Sequence, residues 1–279
     1  MQFINAIPTF LMESKNSIAD LEKYFSMYPL IFEKYFPMHC PKTEERLNQA
    51  LQKYPNSISN IRNINEQFED LLRGIENRIM QKYNVLFPNK THLLVGTYGS
   101  NAFVTHDIIG DVYFAAEKLS PIKEHLEIII AHELGHVTHH LLSQQQQLDF
   151  GKVDWLHPFG WLYREGVATF ISQNIVDNTL ESSYYTYDDL GEEWLKFAKL
   201  NESLLKKSFL TSFNKGWTDA DSKEWFKLRG GKIFGFERLA YYLGTRFVQD
   251  LAVEIGESNA ITYWVEADVL ERVKMWLKS

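Results

Sequence analysis

Five consecutive residues, His132-Glu133-Leu134-Gly135-His136, carry the strongest chemical signal in the chain. On a helix of 3.6 residues per turn, positions i and i+4 stand one above the other on the same face. Two imidazoles so placed converge on one metal ion, and imidazole is the commonest metal ligand. Glu133 lies roughly 100° round the helix from His132, so it does not meet that ion head-on. It reaches past the ion to a bound water. Zinc lowers the pKa of such a water to about 7, and Glu133 can accept its proton and pass it to a leaving amine. The flanks Ile128, Ile129, Ile130, Ala131, Leu134 and Val137 are uncharged, so the helix reads as mostly buried. Ionisable groups on a buried helix are costly unless paired or metal-bound.

A catalytic zinc site needs a third protein ligand and an open fourth position. The candidates downstream are His139, His140, Asp149, Asp154, His157 and Glu165. Six of the nine histidines fall between His125 and His157, yet most read as bystanders. His139 and His140 lie about 10 Å or more along the helix axis from His132 at roughly 1.5 Å per residue, and read as helix-end or solvent residues. Glu165 is the preferred ligand. It sits among hydrophobic residues at helical spacing in Trp161-Leu162-Tyr163-Arg164-Glu165-Gly166-Val167-Ala168, where a lone carboxylate needs a partner. His157 ranks next. The competing reading of Glu165 is a salt bridge to Arg164 or Arg246. Trp155, Phe159 and Trp161 read as core packing ahead of a substrate pocket wall.

These residues must be held by elements the sequence also marks. Ser120 and Pro121 are good start signals for the motif helix, expected to run to about Leu142. A second helix is expected over Trp161–Asn174. Before the motif, His92–Thr97, Ala102–Thr105 and Asp111–Ala116 read as two or three short strands punctuated by Gly96, Gly99 and Gly110. Residues 1 to about 88 read as helical. The clearest piece is 58–83, with apolar residues at three- and four-residue steps from Ile58 to Tyr83, a start at Pro55-Asn56-Ser57 and a stop at Pro88-Asn89. The apolar stripe of Leu21, Tyr24, Phe25, Tyr28, Leu30 and Ile31 reads as core, not as a ligand groove. After residue 189 the pattern is again helical, interrupted mainly by the glycine-rich stretch Lys227–Lys232. The order of helices, a short sheet and helices is that of an α+β chain. The expected organisation is a helical N-terminal region, 1–90, and a catalytic region, 91–279, with no linker between them.

Composition excludes several classes. The 279 residues carry a formal charge of −7, which argues against nucleic-acid binding. One cysteine, Cys40, rules out an internal disulfide framework and zinc modules built on several cysteines. No apolar run approaches the roughly 20 residues of a spanning helix, and no secretory signal is evident. The expectation is a soluble, cytoplasmic protein without a membrane partner.

The string HELGH followed by R-E-G-V-A-T-F resembles the gluzincin branch of the zincin metallopeptidases, and is most similar to bacterial Zn-dependent proteases with an E-G-x-A third-ligand helix. The metzincin string fails, because His139 and Leu142 stand where glycine and histidine are needed. The resemblance implies a zincin-like fold, mostly helical, with a small mixed sheet before the motif helix. It implies that Asp111–Ala116 is the edge strand that pairs with extended substrate. It also implies a tyrosine to stabilise the oxyanion. Tyr241 matches the Y-x-x-G position of Tyr241-Tyr242-Leu243-Gly244, with Tyr242 close behind. Many gluzincins carry an acidic residue four positions after the third ligand, where this chain has Thr169. The function expected is therefore zinc-dependent hydrolysis of peptide or protein substrates, with His132, His136 and Glu165 as ligands and Glu133 as base. The alternative is a catalytically silent protein of the same fold that binds a peptide or partner.

Overall fold

Gln2–Asn5 is a strand, β1, in a region that reads as helical throughout. Four residues are too few to show a two-residue alternation, and they become a strand only by pairing. In the computed structural model, which describes residues 1–177, 179–228, 230–265 and 268–279, β1 runs parallel to Lys90–Leu93 of β2 (Lys90–Leu94). β2 also pairs in parallel with β4 (Val112–Ala115), and β3 (Ala102–Val104) lies antiparallel beyond β4. The order β1-β2-β4-β3 makes a mixed sheet. The strand expected at an edge, Asp111–Ala116, is therefore internal, and all four residues of β4 are buried. The edges are β1 and β3.

By internal packing the chain divides into two units, Met1–Glu133 and Leu134–Ser279. In the first, α1 (Ile7–Met12), α2 (Ile18–Met27), α3 (Pro29–His39) and α4 (Glu44–Tyr83) connect β1 to β2. α4 runs straight through Pro55, which was expected to start it. The helix instead begins at Thr43, whose hydroxyl accepts from the Arg46 amide. A proline inside a helix costs about 3 kcal/mol. Here buried residues on both sides of it, Leu47, Ala50 and Tyr54 before and Ile61, Ile64 and Phe68 after, offset it. Phe68 meets Phe114 of β4 at 5.0 Å, so α4 covers one face of the sheet. Leu21, Tyr24, Phe25 and Ile31 of the apolar stripe are buried, and Phe32, Tyr35 and Phe36, outside that stripe, pack with them as core. Exposed Leu30 does not share it.

A buried acid fixes the loop after β2. Glu117 accepts from the amides of Gly96 and Tyr98, at 2.9 and 3.0 Å. The Tyr35 hydroxyl accepts from the amides of Thr97 and Gly99, and the Tyr54 hydroxyl donates to the Gly96 carbonyl. Tyr98 is held at φ 59°, a left-handed conformation uncommon for a side chain of this size. Burial pushes the Glu117 carboxyl up to about 7.

The division between the units falls inside a continuous helix, α5 (Lys123–Gln145). α5 starts two residues after Pro121. The Ser120 hydroxyl accepts from the Ile122 amide and meets Nδ1 of buried His125 at 2.8 Å. The second unit continues with α6 (Pro158–Ile175), α7 (Ser183–Thr186), α8 (Glu192–Leu200) and α9 (Glu202–Asn214). It closes with α10 (Asp219–Phe226), α11 (Leu239–Ile255), α12 (Glu257–Ile261) and α13 (Val269–Lys278). Arg229, in the glycine-rich stretch between α10 and α11, lies outside the described residues. α6 and α11 approach backbone to backbone. A Cβ on Gly166 would stand 2.2 Å from the Gly244 carbonyl oxygen, and one on Gly244 would stand 2.2 Å from that of Leu162. Among the described residues no helix is long and apolar enough to cross a membrane.

Candidate metal centre

α5 places His132 and His136 one turn apart, with Leu126, Ile128, Ile130, Ala131 and Leu134 fully buried around them. His132 and Glu133 are buried and His136 is half-buried. Gly135, inside the motif, has a role of its own. A Cβ there would lie 3.0 Å from the Ala168 carbonyl oxygen, so a residue without one lets α5 lie close to α6. Glu165 is one turn earlier than Ala168 on α6 and is buried.

Ligand atoms of His132, His136 and Glu165 all lie within 4.8 Å of one another. Nε2 of His136 is 3.4 Å from Oε2 of Glu165. Zinc holds nitrogen and oxygen ligands at about 2.0–2.2 Å in a tetrahedron, which spaces them roughly 3.3–3.5 Å apart. The His136–Glu165 separation meets that requirement. Two imidazoles and a carboxylate are also a donor set that catalytic zinc sites use. The residues present therefore fit the ion.

The other sequence candidates are placed elsewhere. His139 is no solvent residue. It is fully buried because its ring stacks on Trp264 at 4.1 Å and meets Tyr163 edge-on at 5.3 Å. Burial holds its pKa well below the usual histidine value. His140 is half-buried against Phe150 and Trp155, so it too is not a solvent residue. His157 caps α6, its Nδ1 accepting from the Phe159 amide at 3.1 Å. Asp149 and Asp154 accept from the amides of Gly151 and Leu156.

The salt-bridge alternatives for Glu165 are occupied otherwise. Arg164 donates to the Trp155 carbonyl at 2.8 Å and lies over the Trp155 ring. Arg246 pairs with Glu202 at 3.4 Å and Asp250 at 3.0 Å. Trp161, read as core, has a more specific contact. Its indole N–H donates to Glu165 Oε1 at 2.9 Å. The signal that could have found this was in view, since Trp161 and Glu165 are four apart on one helix. Phe159 is buried in the core as expected, against Phe213 at 4.3 Å.

The two tyrosines differ. Tyr242 is buried and its hydroxyl donates to Glu202 Oε2 at 2.8 Å. Tyr241 is half-buried in the first turn of α11, with the Arg238 guanidinium 5.4 Å from its ring. α11 packs on α6, the helix of Glu165, through Gly166 and Gly244.

Residues 19–240, well over half of the chain, match the sequence model of a family described as "Putative zinc dependent peptidase (DUF5700)". No curated protein and no solved structure matches the chain.

Proposed function

The chain belongs to the DUF5700 family, and on that premise we propose that it is a zinc metallopeptidase of the gluzincin type on a zincin-like scaffold. The convergence of His132, His136 and Glu165 within 4.8 Å carries the reading. When bound, zinc supplies Lewis-acid polarisation of the scissile carbonyl and makes water acidic enough to ionise near neutral pH. His132 and His136 present neutral imidazoles from one helix face, and Glu165 adds the single negative charge of the ligand set. Glu133, next to His132 but turned roughly 100° about the axis, takes the proton of the attacking water. The same carboxyl then delivers it to the leaving amine. Tyr241, which stands at the Y-x-x-G position, is the preferred oxyanion donor. The substrate class is peptide or protein.

The test is Glu133→Gln. The variant should keep zinc and lose hydrolysis of a peptide library by roughly 10²–10⁴-fold, the contribution typical of a general base. Undiminished turnover would overturn the assignment. Zinc-loaded wild type with no turnover on the same library would favour the silent, peptide-binding alternative.

A further inference from the structure

We infer that Trp161 is a positioning residue that sets how Glu165 presents itself to the metal, an inference that rests on the proposed metal centre. A carboxylate can bind zinc through one oxygen or both, and the second mode fills the open position that catalysis needs. Here the choice is made by the neighbour. The Trp161 indole N–H takes Glu165 Oε1 at 2.9 Å, while Oε2 faces Nε2 of His136 at 3.4 Å. One oxygen is engaged by the protein and the other points along the ligand direction.

The donor is itself held. The Trp161 ring lies 4.2 Å from Phe226 at an interplanar angle of 3°, and Nζ of Lys227 is 4.6 Å from its centroid. The stack anchors the indole to the end of α10 and the residue that follows it. A planar ring fixed this way keeps its single N–H in one direction, as hydrogen-bonded partners of zinc ligands commonly do. The spacing also suits the task. Trp161 is one turn before Glu165, and long helical side chains lean toward the preceding turn, so the Glu165 carboxyl meets the indole on a shared face.

Two consequences separate this from simple packing. Losing the N–H should weaken metal binding even where the ring volume is kept. It should also free Glu165 Oε1 to join the ion, which changes the coordination number. The experiment uses the full chain loaded with zinc, for affinity by chelator competition, and with cobalt(II), whose visible absorption is intense in four-coordinate sites and weak in five-coordinate ones. Trp161→Phe should lose ten- to hundredfold in zinc affinity, the usual effect of removing such a partner, and its cobalt band should weaken. Replacing Trp161 with 3-benzothienylalanine, which keeps the bicyclic shape and exchanges only N–H for sulfur, should do the same in a protein that folds normally. Phe226→Leu, which thins the stack but leaves the N–H, should stay within about threefold of wild type. Wild-type affinity and cobalt spectrum in the benzothienyl protein would overturn the inference, as would a loss in Phe226→Leu equal to that in Trp161→Phe. Glu165→Ala keeps the two levels apart. If it loses zinc while the Trp161 variants do not, only the role of Trp161 falls. If it binds zinc as wild type does, the metal centre falls and the inference with it.

Discussion

Two buried carboxylates, one in each unit, are kept in opposite ways. Glu117 has both oxygens on backbone amides, those of Gly96 and Tyr98, and faces the hydroxyl-rich cradle of Tyr35 and Tyr54. Glu165 has one oxygen on an indole and the other toward a histidine. The first arrangement completes itself within the protein and shapes a loop. The second directs an oxygen at the point where three ligand atoms gather. Burial alone does not tell a structural acid from a candidate ligand; the identity of the donors does.

The sharpest way to break this contrast is to exchange the two acids in turn. Glu165→Ala should cost on the order of a thousandfold in zinc affinity, about 4 kcal/mol and more than an outer partner contributes. Glu117→Gln should leave zinc affinity unchanged. Chelator competition reads both, and a zinc loss in the Glu117 variant would erase the distinction.

The next effect concerns pH. Burial raises the Glu117 carboxyl from 4.5 to about 7. Between those values the folded protein holds a proton that the unfolded chain has released, so stability falls as pH rises through this window and levels off above it. At 1.36 kcal/mol per pKa unit the decline amounts to about 3 kcal/mol. Urea midpoints at pH 5 and pH 8 should show this component in wild type and lack it in Glu117→Gln. An equal slope in both proteins would remove Glu117 as its source.

Smaller still, Tyr35→Phe deletes the acceptor for the Thr97 and Gly99 amides. Leaving buried donors unsatisfied should destabilise the fold by about 2 kcal/mol with no change in zinc affinity. Denaturant titration and metal binding together check it. The smallest effect is expected at Gly135→Ala. Alanine gains roughly 1 kcal/mol of helix propensity over glycine, while its Cβ meets the Ala168 backbone at 3.0 Å. Net stability should change by less than about 1 kcal/mol, and a modest drop in zinc affinity should report the shift of α5 against α6. An unchanged affinity would show that the close approach is not needed for ligation.

The same contrast explains what the sequence disclosed. The grouping of His132, His136 and Glu165 was legible because its signals are local: a four-residue interval on one helix, and a lone acid in an apolar helical run. The α+β class and three of the four strands were legible from periodicity and glycine punctuation. Glu117 passed unnoticed because the atoms that identify its role belong to residues 96, 98, 35 and 54, which no local pattern connects. β1 was missed for the same reason, since Gln2–Asn5 has meaning only beside Lys90–Leu93. The internal place of β4 follows from where β3 and β1 pair, and strand order cannot be read from spacing. Pro55 misled because its local penalty is real but is outweighed by packing along the full length of α4. His139 misled because the rings that bury it, Tyr163 and Trp264, are distant in sequence.

The pairing of β1 with β2 also bears on how the chain is made. A ribosome delivers Gln2–Asn5 well before their hydrogen-bonding partners at Lys90–Leu93, which follow only after the whole of α4 has emerged. At typical synthesis rates of about 5–20 residues per second, β1 waits roughly 5–20 s with an open backbone edge. During that interval its amides and carbonyls are available to any extended neighbour. The sheet is thus the part of the first unit whose assembly is set by translation.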